Sequence, residues 1–154
     1  MKSIIDAFLR SEKIGIVGVS SNKQKFGNAL YKELSSKGYD VYPVGRNIKS
    51  INGKDCFEDV SSLYGLTDSV IIAAKKPDTA DIIESIDASK IKRVWLIKDS
   101  YTDEILNAAR KKNLDVVHGA CPLMFCEPNG FHKVHRFFSK LFGNYNKIYT
   151  AEAK

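Results

Sequence analysis

The stretch Ile14-Gly-Ile-Val-Gly-Val-Ser-Ser-Asn-Lys-Gln-Lys-Phe-Gly27 (IGIVGVSSNKQKFG) decides the fold. With Lys13 in front of it, residues 13–19 form a short, continuous apolar run rich in β-branched side chains, the pattern of a strand buried on both faces. Polar residues 20–25 follow as a turn. Phe26, Leu30 and Leu34 then recur every fourth position, so a helix packs back on the strand, and Gly38 stands where a left-handed helix end is required. Strand, polar turn and helix in this order open a parallel α/β sheet.

The same alternation continues outward from that block. Residues 39–44 (YDVYPV) read as a second strand, with Pro43 confined to a position that needs no ladder donor. Residues 69–74 (SVIIAA) read as a third strand. Asp78 is expected to cap a helix carrying Ile82, Ile83 and Ile86, and residues 93–97 (RVWLI) form a fourth strand with Trp95 in the core. Thr102 caps a helix that presents Ile105, Leu106 and Ala109; Asn113 ends it, and residues 114–118 (LDVVH) form a fifth strand. Between the second and third strands, residues 48–68 contain the turn Asn52-Gly53 and a short helix over 58–63. Helical linkers demand right-handed crossovers, so the expected fold is α/β: a Rossmann-like, doubly wound, parallel five-stranded sheet with helices on both faces. The expected strand order is 3-2-1-4-5.

The 154 residues suit one domain, with residues 1–145 forming it, 146–154 a tail and 150–154 frayed. A hydrophobic fraction of 44% and a charged fraction of 27% are those of a folded globular chain, which excludes a disordered one. No apolar run is long enough to cross a bilayer, and residues 1–10 mix charge with apolar positions at helical spacing, unlike a signal peptide. A cytoplasmic protein without a membrane partner is expected. The odd set Cys56, Cys121 and Cys126 then reads as reduced thiols. A net charge of +6 attracts any polyanion, but no run of five or six cations and no nucleic-acid reader motif accompanies it. Nucleic acid is therefore not an expected partner.

A ligand site is expected at the carboxyl ends of the strands, where connections diverge to opposite faces. The first turn suits phosphate there. Gly18 permits close approach, Ser20 and Ser21 carry hydroxyls, Lys23 and Lys25 add charge, and Phe26 and Gly27 begin a helix whose N-H groups favour an anion. After Gly15 and Gly18 the next glycine is Gly27, which departs from the dinucleotide pattern G-x-G-x-x-G. The second strand ends in Val44-Gly45-Arg46-Asn47, with no acid for a free ribose; Arg46 suits a ribose bearing a phosphate. NADP and coenzyme A (CoA) both carry one.

Four blocks, residues 14–45, 68–79, 92–100 and 114–125, resemble the CoA-binding-domain family of small, stand-alone Rossmann-like proteins. These are similar to the CoA-binding domain of succinyl-CoA synthetases and ADP-forming acyl-CoA synthetases. The strand ending in Gly-x-Ser, the basic turn and the later Gly-Tyr-x-Val-x-Pro-Val carry most of the likeness. The resemblance implies that Gly18, Ser20, Lys23, Lys25 and Gly27 hold pyrophosphate and nearby phosphate. It also implies that Pro43, Gly45, Arg46 and Asn47, with Lys75, Lys76 and Pro77, border the adenosine and the pantetheine path. Two positions depart from the family: Gly45-Arg46 replaces Asn-Pro, and Trp95, Ile97 and Asp99 stand in its Trp-x-Gln-x-Gly motif.

The resemblance further implies a non-catalytic sensor or carrier of CoA or acyl-CoA, with an NADP-dependent oxidoreductase or a subunit of a larger acyl-CoA enzyme as the alternative. It places Cys121 near the crevice, where it would form a mixed disulfide with the CoA thiol, but a small buried thiol without chemistry is the favoured reading of the residue. Cys121, Cys126, His132 and His135 lack metal-site spacing, so no metal is expected. Residues 131–142 read as an amphipathic helix that covers a sheet edge or pairs two copies as a homodimer. No catalytic motif stands out, and His118 is not in a recognised phosphohistidine context.

Overall fold

The computed structural model describes residues 2–126. Helix α1 (Lys2–Arg10) precedes β1 (Lys13–Val17), α2 (Phe26–Ser36) and β2 (Asp40–Val44). A two-stranded hairpin of β3 (Ser50–Ile51) and β4 (Lys54–Asp55) and a 3-10 helix (Val60–Leu63) come next. Then β5 (Ser69–Ile72), α3 (Lys76–Ser85), β6 (Arg93–Leu96), α4 (Asp103–Lys111) and β7 (Asp115–His118) alternate, and a second 3-10 helix spans Pro122–Met124. The terminal helix expected over 131–142, the tail, His132 and His135 lie outside the described residues.

Five parallel strands form one sheet in the order β2-β1-β5-β6-β7. This corrects the expected order: the third principal strand is inserted beside the first, leaving the second at the edge. Burial explains the arrangement. All four residues of β5 are buried, which requires strands on both sides and helices on both faces, whereas β2 begins at an exposed Asp40. Pro43 pairs in register with Ile16, and its carbonyl accepts a hydrogen bond from the Phe57 N-H on the outer side at 2.8 Å. An edge strand tolerates the missing proline donor there.

Strand alternation sorts the core into two layers. Ile14, Ile16, Ile71 and Trp95 face α1 and α2, packing with Phe8, Leu30 and Leu34. Val70, Ile72, Val94 and Leu96 face the other way, against Leu63, Ile83, Ile105 and Ala109. Each fully buried aliphatic side chain contributes about 1.5–3 kcal/mol relative to exposure. Trp95 is wholly buried, donates its indole N-H to the Ala120 carbonyl at 2.8 Å, and meets the Phe8 ring edge-on at 5.4 Å.

Helix ends follow local chemistry. Gly38 (φ 89°) and Asn113 (φ 59°) turn the chain after α2 and α4, and the Thr102 hydroxyl accepts from the Ile105 N-H at the start of α4. Asp78 is not a cap, contrary to expectation. Pro77 has no N-H to waste in a first turn, so α3 begins before it, with Lys75 at the boundary and Asp78 inside the first turn. The short helix expected over 58–63 starts two residues later, because the Asp59 carboxylate accepts from the Ser61 and Ser62 N-H groups and caps it. The Asn52-Gly53 turn (φ 48° and 79°) closes the β3–β4 hairpin. At the amino end of the sheet, Arg93 spans two strands, bonding both oxygens of Asp68 at 2.7 and 2.8 Å and the Ser69 hydroxyl at 2.9 Å.

Candidate functional site

The connection leaving β1 crosses one face of the sheet and that leaving β5 crosses the other, so a crevice opens between their carboxyl ends. Backbone bonds lace its floor. The Gly18 and Val19 N-H groups both reach the Val44 carbonyl, at 2.9 and 3.2 Å, and the Ala73 N-H reaches the Val17 carbonyl at 2.7 Å.

Glycines stand where these segments touch. A Cβ on Gly18 would lie 2.2 Å from the Ala73 carbonyl oxygen, one on Gly27 2.3 Å from the Gly18 oxygen, and one on Gly45 2.3 Å from the Val19 oxygen. At each of these three glycines the direction a side chain would take is occupied by backbone of a neighbouring segment. Gly18 has φ 116°, so its lack of a side chain is required twice over.

The turn after β1 is held by its own side chains. Asn28 accepts from the Ser20 N-H at 2.8 Å and donates to the Ser20 carbonyl at 2.7 Å, clamping both backbone groups of that residue. The Ser20 hydroxyl accepts from the Asn22 N-H at 3.1 Å, and the Asn22 side chain accepts from the Gln24 N-H at 3.1 Å. Helix α2 then begins with no side-chain cap, as does α3. Two helix N-termini, at the ends of neighbouring strands, thus carry Lys25 and Lys75 at their boundaries, an arrangement suited to anions.

The cavity here holds about 650 Å³, within the usual range for small-molecule sites. Its lining includes Gly18, Ser20, Lys25, Phe26, Gly45, Arg46 and Lys75 of the residues expected from sequence. The remainder lie off the lining. Ser21 and Lys23 are exposed in the turn, Gly27 is buried beneath it, Pro43 sits in β2, and Asn47 (φ 57°), Lys76 and Pro77 are exposed. Cys121 is buried in the α1–α2 layer of the core, where burial pushes its thiol up to about 11.

The opposite wall was not foreseen. Glu58, Asp59 and Val60 approach from the loop and 3-10 helix, Asp81, Ile82 and Ser85 from α3, and Lys98 and Asp99 from the end of β6. Asp59 is held below its ordinary value first by the Ser61 hydroxyl and further by the Ser61 and Ser62 backbone N-H groups. Asp99 has φ 67° at the position where the resembled motif has glycine. The lining therefore contains four cations, Lys25, Arg46, Lys75 and Lys98, beside five carboxylates. Such a wall can hold an anion at one place and hydrogen-bond donors at another. Among the described residues, no cluster of three or more His, Cys, Asp or Glu is placed to hold a metal ion, and no helix is long and apolar enough to cross a membrane.

An open parallel α/β sheet with a crevice at its switch point is a Rossmann-like architecture. The chain belongs to the CoA binding domain family, which matches residues 12–127. It is 24% identical over 118 residues to the alpha subunit of acetate--CoA ligase [ADP-forming] II of Pyrococcus furiosus; the match covers 75% of this chain but 26% of that subunit. The chain thus spans about a quarter of this curated relative. Among solved structures, a hypothetical protein from Pyrococcus horikoshii OT3 aligns with a TM-score of 0.72 at 27% identity, covering 80% of this chain and 87% of that one. A conserved hypothetical protein from Pyrococcus furiosus aligns with a TM-score of 0.66 at 28% identity, covering 71% and 94%.

Proposed function

We propose that this chain binds CoA or an acyl-CoA in the crevice and acts as a non-catalytic sensor or carrier in the cytoplasm. The observation that carries the reading is the meeting of two helix N-termini without a side-chain cap, with Lys25 and Lys75 at their boundaries, on one cavity of a CoA-binding-domain protein. The pyrophosphate lies at the start of α2 against Ser20 and Lys25, with Lys23 adding charge from the rim. The ribose phosphate meets Arg46, and the pantetheine arm runs past Lys75. Apolar lining from Val60 and Ile82, beside carboxylates that accept hydrogen bonds, suits a purine with an exocyclic amine.

Calorimetric titration of the reduced protein with CoA, dephospho-CoA, NADP and NAD at one salt concentration tests this reading. Saturable CoA binding that weakens for the dephospho form and on neutralising Lys25 supports it. Binding of NADP in place of CoA transfers the site to an oxidoreductase, and binding of none of the four refutes it.

A second reading is supported by the relative's own description, since that protein is a subunit of an ADP-forming acetate-CoA ligase. On this reading the chain presents CoA to a partner that supplies the chemistry. Co-purification of a partner chain that confers CoA-dependent acyl transfer separates it from the carrier reading.

A further inference from the structure

Arg46 follows β2 and Asp78 lies in the first turn of α3, so the ion pair between them joins two separate walls of the cavity, Nη1 to Oδ1, at 3.3 Å. Both side chains are well exposed, at 68% and 46%. A long exposed arginine without a partner spreads over many rotamers, and ordering it on a ligand costs free energy that a pre-placed side chain has already met. The guanidinium offers five N-H donors in a planar fork, and the Asp78 contact uses one of its nitrogens. Asp78 itself lies at a helix N-terminus, where the helix dipole offsets part of its charge toward an approaching anion.

We infer that Asp78 is a positioning residue: it holds the Arg46 guanidinium over the cavity with donors to spare, and through Arg46 it sets a preference for ligands bearing a ribose phosphomonoester. This rests on the CoA reading of the site. Asp78 does not touch the ligand in this scheme and acts only through Arg46.

The test is the ratio of CoA affinity to dephospho-CoA affinity, measured by calorimetry on the full chain. In the wild type the ratio favours CoA. Asp78→Asn lowers it by about fivefold, the upper end of what an exposed ion pair sustains. Asp78→Glu, which keeps the charge, retains most of it. In an Arg46→Gln background, adding Asp78→Asn changes the ratio no further, because the two residues act as one unit.

Failure has separable forms. Binding of neither ligand by the wild type removes the CoA reading and this inference with it. Binding of both with equal affinity leaves the CoA reading intact and overturns the phosphate preference. A ratio that rises in Asp78→Asn overturns the inference by making Asp78 a competitor for Arg46. A loss that persists in the Arg46→Gln background overturns it by giving Asp78 a role of its own. If Asp78→Asn does not fold, Asp78→Glu and Arg46→Gln carry the comparison: Arg46→Gln must abolish the CoA preference, and Asp78→Glu must retain most of it.

Discussion

Replacing Gly27 by alanine sets two effects against each other. Alanine is the better helix former by about 1 kcal/mol in a helix interior, and less in a first turn, so propensity alone predicts a small gain. The new Cβ would lie 2.3 Å from the Gly18 oxygen, 2.7 Å from the Gly18 carbonyl carbon and 3.2 Å from the Val19 nitrogen. All three are backbone atoms, and the Gly18 and Val19 N-H groups are already tied to Val44. Helix and turn would have to separate by roughly 1 Å to restore ordinary contact. Overpacking of this kind costs about 1–3 kcal/mol, so the expected net loss is about 1–2 kcal/mol. In urea this lowers the unfolding midpoint by roughly 0.5–1 M at an unchanged slope. A Gly27→Ala protein with a midpoint equal to or above that of the wild type would refute the claim that backbone contact explains this glycine. Gly38→Ala is the control: no atom lies within 4 Å of its Cβ, so only the left-handed conformation is penalised, by about 1 kcal/mol.

Asn28→Ala leaves both backbone groups of Ser20 without their side-chain partner and is expected to cost about 1–2 kcal/mol, read by thermal unfolding, while weakening CoA in titration. Asp59 has a depressed folded-state pKa, so its contribution is complete above the unfolded value of about 3.9 and is lost as pH falls through the lower folded value. Asp59→Ala should accordingly reduce stability at pH 7, and urea midpoints measured down the pH scale should show the gap to wild type narrowing below about pH 4. Cys121, buried and with its thiol raised to about 11, should remain unmodified when the folded protein is mildly oxidised with CoA and should react once denaturant is added; intact-protein mass spectrometry reads both states.

The five sheet strands and three of their helices were legible because each is a short apolar run or a four-residue periodicity punctuated by glycine, asparagine or threonine. The observed strand order differs from the expected one for a reason the sequence also carries. SVII has no polar position beyond its first residue and belongs in the middle of a sheet, while a strand containing Pro43 belongs at its edge. Part of the near wall of the candidate cavity is readable from the turn after β1, whose Ser20 and Lys25 line it, whereas Ser21 and Lys23 of the same turn do not. The far wall is not readable. Glu58, Asp59 and Asp81 are ordinary surface residues in sequence and become lining only when β5 is inserted next to β1 and brings α3 toward the 3-10 helix. Asn28 carries no signal of its own in the sequence; its position eight residues after Ser20 acquires meaning only once the turn folds back upon α2.

The Arg93 bracket on Asp68 and Ser69 lies at the amino end of the sheet, whereas every lining residue of the cavity belongs to the carboxyl end or to the elements beside it. Parallel strands give the molecule a direction, with anchorage at one pole and the candidate site at the other. Residues lining the candidate site can then be exchanged without reopening the problem of strand registration. Leu66, exposed on the anchored pole just before β5, is accordingly a place to attach a fluorophore or a surface tether that leaves the opening of the crevice unobstructed.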